Sequence, residues 1–225
     1  MPRKNKNAAI KKPENPAIRA FFYIAFFAVL FLTIYLFYLA SAGKISLIDA
    51  SNYTAVTFSF IFSTAVIAYL LSRGKRLGEI VESLGLSRKT LTGKIVIAGL
   101  MLFVLLFLVE IIITLISALT GVSLSSNAQV FEATAPLAIL LFSVFIAPLN
   151  EEIFFRGFLA PRYGIFIPAL IFAILHSGYA SITEFVGAFV FGLLAGYVFQ
   201  KTKSLYPSII AHVLVNALAV AAFLL

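Results

Sequence analysis

The chain has 225 residues, of which 62% are hydrophobic and only 12% charged, with a mean hydropathy of +1.06. A soluble domain of this size carries about 45–50% apolar and about 25% charged residues, so a water-soluble globule is excluded, as is a disordered or collagen-like chain. At about 20 residues per crossing, the apolar content calls for six to eight membrane helices in one bundle. The formal charge of +8 reads as basic loops anchored to anionic lipid on the cytoplasmic side rather than as a nucleic-acid surface. With no Cys, two His and a single Asp, Asp49, thiol chemistry is absent and the store of catalytic groups is small.

Residues 1–19 form a basic tail holding Arg3, Lys4, Lys6, Lys11, Lys12 and Arg19, with Pro13 and Pro16 opposing a helix. An uncharged stretch follows, Ala20–Ala42. It is too long for the apolar region of a signal peptide, which runs about 7–15 residues, and is read as a retained first span. A second span fits Asn52–Ser72, leaving Asp49 in the loop before it. The segment Arg73–Lys94 is basic and Gly-containing, a cytoplasmic loop with room for one short interfacial helix. Ile95–Leu119 is a third span carrying Glu110, and Thr120–Thr134, without Lys or Arg, is an external loop.

Four spans follow: Ala135–Phe158, Ile165–Ser177, Ile182–Gln200 and Leu205–Leu225. The one from Ile165 is short, and Pro168 is expected to delay its regular helix. With the N-terminus inside, 16 of the 17 Lys and Arg fall on the cytoplasmic side and only Lys44 outside. The expected fold is therefore all-α: a polytopic bundle of about seven transmembrane helices with a cytoplasmic N-terminus. It comprises the tail 1–19 and one membrane domain, 20–225, whose chemistry lies in 135–225. The expected location is the cell membrane.

Ionisable groups at membrane depth are costly and mark function by default. Here they gather late in the chain: Glu151, Glu152 and Arg156 in one helix, His176 in the next, and His212 and Asn216 in the last. Glu152 and Arg156, four apart, share a helix face and can pair. Glu151 is turned about 100° from Glu152, which gives Glu152 the structural role and Glu151 the chemical one. Phe172 lies one turn before His176, where its ring can orient the imidazole. Counted along the helix, Glu151 lies about 10 Å from the inner end of its span and His176 about 15–20 Å from its own, a mismatch in depth. Glu110 has no patterned partner.

A carboxylate withdrawn from bulk water can act as a general base toward water, with a histidine sharing the proton. A second histidine and an amide supply donors for an oxyanion. Peptide or ester hydrolysis is thus coherent. Two alternatives use the same residues: a divalent metal such as zinc on Glu151, His176 and His212, or a non-catalytic immunity or scaffold protein whose polar cluster serves packing. An ion or metal carrier is a third.

The order Glu-Glu-x-x-x-Arg, Phe-x-x-x-His, His-x-x-x-Asn on successive late helices resembles the CPBP family. These are the CAAX proteases and bacteriocin-processing enzymes, also called the Abi family, which include the prenyl-protein endopeptidase. The likeness covers Asn150 to Asn216. It implies an intramembrane endopeptidase in which Glu151 and His176 activate water, His212 and Asn216 bind the oxyanion, and Glu152 and Arg156 shape the site. It also implies a lipid-modified or membrane-associated protein substrate. Lack of a His-Glu-x-x-His motif favours the metal-free form of the reaction. The same inventory argues against aspartyl, site-2 and rhomboid types of intramembrane protease.

Overall fold

The computed structural model describes residues 16–121, 135–176 and 182–224. Most of the basic tail, 1–15, and most of the expected external loop, 122–134, lie outside the described residues. The described residues are helices joined by short turns, with no strand among them. In lipid this is what the backbone demands, because a helix satisfies its own N–H and C=O groups where no water can.

The helices in chain order are α1 (Pro16–Ser41), α2 (Leu47–Ser72), the short α3 (Leu77–Ser83), α4 (Gly93–Thr120), α5 (Leu137–Glu152), a π-helical segment (Ile153–Leu159), α6 (Ala160–Tyr163), α7 (Phe166–His176), α8 (Ile182–Thr202) and α9 (Tyr206–Leu224). Five are long and apolar enough to cross a bilayer: α1, α2, α4, the continuous stretch Leu137–Tyr163, and α8. Two apolar helices, α7 and α9, are shorter. Together they make the seven-helix polytopic bundle expected. The short helix in the basic loop is α3. Asp49, expected in a loop, falls in the first turn of α2, which starts at Leu47. Pro168 does not delay α7: it sits in the first turn, where its missing N–H breaks no bond.

The outside of the bundle is apolar. Phe21, Phe27 and Phe31 on α1 and Met101, Leu108 and Leu119 on α4 are exposed, as acyl chains require. Inside, one core cluster joins α2, α3, the π segment and α8 through Leu70, Leu71, Ile80, Ile153 and Phe199. A second, built on Leu102, Leu106, Phe155, Phe172, Phe191 and Ala211, joins α4, the π segment, α7, α8 and α9. The basic loop is tied to the α8–α9 turn. The Leu205 N–H donates to the Gly85 carbonyl (2.9 Å), and the Tyr206 hydroxyl donates to the Leu86 carbonyl (2.9 Å). All helix ends that carry Lys or Arg between residues 73 and 203 therefore meet at one end of the bundle.

Membrane helices have little hydrophobic drive to associate and depend on close van der Waals fit. The antiparallel pair α7–α8 shows this at Gly192, where a Cβ would stand 2.6 Å from the Cβ of Ala169. Gly192→Ala should destabilise the protein by about 1–3 kcal/mol, the usual cost of overpacking. Thermal unfolding in detergent measures this, and adding Ala169→Gly should recover most of the loss. At Gly85 the backbone has φ +77°, and a Cβ would meet the Lys203 carbonyl oxygen at 2.9 Å, so that turn needs glycine for both reasons.

Candidate active site

α5 enters the site through an irregular stretch. Pro148, inside the helix, removes one backbone donor, and five residues later the helix widens to π geometry over Ile153–Leu159. The Ala160 N–H donates to the carbonyl of Phe155, five residues back. Single π turns inside helices concentrate at functional sites. Here the wider turn buries Phe155, Arg156 and Gly157 in succession, and it lies directly after the two carboxylates.

Glu152 is fully buried and is the hub of the cluster. Its Oε1 accepts from Arg156 Nη1 (2.8 Å) and from His212 Nδ1 (3.1 Å). The expected i,i+4 ion pair is present, and the carboxylate also fixes a histidine sixty residues away. Arg156 is itself buried, with its guanidinium 4.6 Å from the ring centroids of both Phe172 and Phe191. Each such desolvated cation–π contact contributes about 2 kcal/mol. Those two rings also pack against His212, at 5.9 Å and 4.7 Å between centroids.

Glu151 occupies the other side of His212. Its Oε2 is 3.8 Å from His212 Nε2, and its side chain keeps 18% exposure where that of Glu152 has none. The two adjacent carboxylates are thus separated in environment, as their 100° offset requires. His176, half-buried at the end of α7, has its Nδ1 2.8 Å from the Phe172 carbonyl oxygen and its ring 4.3 Å from the Phe172 ring. Phe172 lies in contact with both histidines and with the arginine.

The observed helix ends bring the residue counts for Glu151 and His176 closer together. The span of Glu151 runs on to Tyr163 rather than ending at Phe158, which puts Glu151 about 18 Å from its inner end. His176, ten residues into α7, is about 15 Å from its own.

Asn216 stands one turn beyond His212, and its Nδ2 donates to the Ser143 carbonyl on α5 (2.9 Å). Ser143 is two turns before Glu151, so Asn216 cross-braces α9 against α5 on the side of the site nearer the other membrane face. Asn150, next to the carboxylates, donates from Nδ2 to Ser59 Oγ of α2 (3.1 Å), both residues being buried. This anchor and Phe191 are site residues beyond those to which the sequence motifs point. Phe191 is one of 24 phenylalanines and carries no local signal. Glu110, for its part, faces Glu184 of α8 and stands beside Gly187.

Among the described residues no three His, Cys, Asp or Glu side chains come together as a metal ion would need. Glu151, His176 and His212 therefore do not make a ligand set here. What the cluster offers instead is one partly exposed carboxylate, an imidazole whose far nitrogen is pinned, and a buried ion pair that holds the imidazole in place.

Residues 133–218 match the model of the family described as type II CAAX prenyl endopeptidase Rce1-like. No curated protein and no solved structure matches the chain. The match covers every motif residue from Glu151 to Asn216 and falls on an all-helical membrane bundle. That segment is thus similar to the CAAX proteases of the CPBP family, and the match supports an intramembrane protease in general type.

Proposed function

We propose that this protease hydrolyses a peptide bond within the membrane, reached from the cytoplasmic side, in a CAAX-type prenylated protein or a related membrane-associated peptide, with Glu151 as general base and no metal. The observation that carries the reading is the position of Glu151: it is the accessible carboxylate of the pair, 3.8 Å from a histidine nitrogen whose partner nitrogen is held by Glu152.

In this reading Glu151 takes a proton from a water as its oxygen attacks the scissile carbonyl carbon, and His176 orients that water. The negative charge passes to the carbonyl oxygen. Glu152, ionised beside Arg156, can only accept, so the hydrogen between it and His212 resides on Nδ1. A His212 that also carries a hydrogen on Nε2 can donate it to the oxyanion, with the Asn216 amide as second donor. As the intermediate collapses the C–N bond breaks, and the proton held by Glu151 passes to the leaving amine.

The purified chain in liposomes should cleave a prenylated CAAX-type peptide at least about tenfold faster than its unprenylated form, because each buried CH2 of the lipid concentrates the substrate in the bilayer. Product masses read the outcome. Cleavage of neither peptide, with Glu151→Ala and His176→Ala altering only the unfolding temperature, would favour the non-catalytic scaffold.

A further inference from the structure

The cytoplasmic end of the bundle contains two cavities that the hydrolytic cluster does not use. One, of about 430 Å³, is lined by Lys201 and Lys203 together with Pro161 and Gly164. The other, of about 290 Å³, is lined by Lys75 and Arg162 together with Gly157 and Pro161. Pro161 forms a wall of both. No Asp or Glu lines either cavity, so each presents one sign of charge.

No described carboxylate neutralises Lys75, Arg162, Lys201 or Lys203, although Glu79 and Glu82 lie in the same loop region as Lys75. Two are instead positioned on aromatic rings. The Arg162 guanidinium lies 3.8 Å from the Phe158 ring centroid and donates to the Phe158 carbonyl, and Lys201 Nζ lies 5.4 Å from that of Tyr197. Such contacts hold a cation in place while leaving its charge for an anion. Lys203 is fixed differently. It is the only non-glycine with positive φ among the described residues (54°), and its N–H is bonded to the Phe199 carbonyl.

We infer that this pair of cavities is a binding site for the phosphate of an anionic lipid headgroup. Basic pockets between helix ends on the cytoplasmic side suit such headgroups, and a phosphate diester supplies acceptors for several Lys and Arg donors at once. The lipid source is favoured over a soluble phosphate by the neighbouring surface. Tyr163, Phe166 and Ile167, beside Gly164 in sequence, are all exposed, which gives acyl chains an apolar path next to the charged cavity. The inference does not depend on the proposed hydrolytic roles, since no residue of the cluster takes part.

Native mass spectrometry of the full chain, equilibrated with phosphatidylglycerol and phosphatidylcholine, tests it. The protein should retain phosphatidylglycerol selectively. Lys201→Gln with Lys203→Asn, where asparagine tolerates the left-handed backbone, and separately Arg162→Gln, should weaken that retention by about fivefold per charge removed. Lys89→Gln with Lys94→Gln, two cytoplasmic cations outside the cavities, should leave it unchanged. Equal losses in the control pair, or no preference for phosphatidylglycerol, would overturn the site. Displacement of the lipid by inorganic phosphate would overturn the lipid assignment in favour of a soluble phosphate ligand.

Discussion

Glu151→Gln should lower peptide cleavage by about 10²–10⁴-fold, the range that a positioned general base contributes, while the unfolding temperature stays close to that of the native chain. The two expectations belong together. Glutamine preserves the shape of the side chain and its place beside His212, and the shorter, fully buried Glu152–Arg156 pair is untouched. Proton acceptance is lost, together with the charge of the longer 3.8 Å contact to His212. Steady-state kinetics on a membrane substrate should therefore show the loss in kcat, with KM little altered. A variant that kept full activity would remove Glu151 from the chemistry.

Arg156→Leu should have the largest effect on stability, about 3–5 kcal/mol, because it strands the carboxylate of Glu152 with no exposure and without its cation. The stacked contacts with Phe172 and Phe191 go with it. Unfolding in detergent measures the loss. A second change, Glu152→Leu, removes the stranded charge and should recover much of that stability. It should not recover activity, since His212 then has nothing to fix its Nδ1 hydrogen. Separation of stability from activity in the double variant is the signature of a carboxylate that positions a histidine. A pure helix clamp would not show it.

How much of this was legible in the sequence follows from which interactions are local. Span positions could be read because lipid imposes length, hydropathy and charge bias on each crossing, and the seven helices fall where those constraints put them. Glu152–Arg156 was legible for the same reason, since i,i+4 spacing is a property of the helix itself. The bond from Glu152 to His212 was not, because nothing in either helix specifies the rotation that brings them within 3.1 Å. Nor was the π segment, whose extra residue per turn leaves no mark on composition. Helices run past the apolar stretches that mark them: α2 begins at Leu47 and the fourth span continues through Arg162 to Tyr163. Phe191 was hidden among its many equals, although it touches both Arg156 and His212.

The hydrolytic nature of the cluster can be tested by carrying out cleavage in H2(18)O with the purified chain in liposomes and a prenylated peptide. The account predicts a cut peptide whose new carboxylate carries one heavy oxygen, formed by the native chain and not by Glu151→Gln. An intact peptide after incubation with the native chain, or the same labelled product from Glu151→Gln, would contradict it.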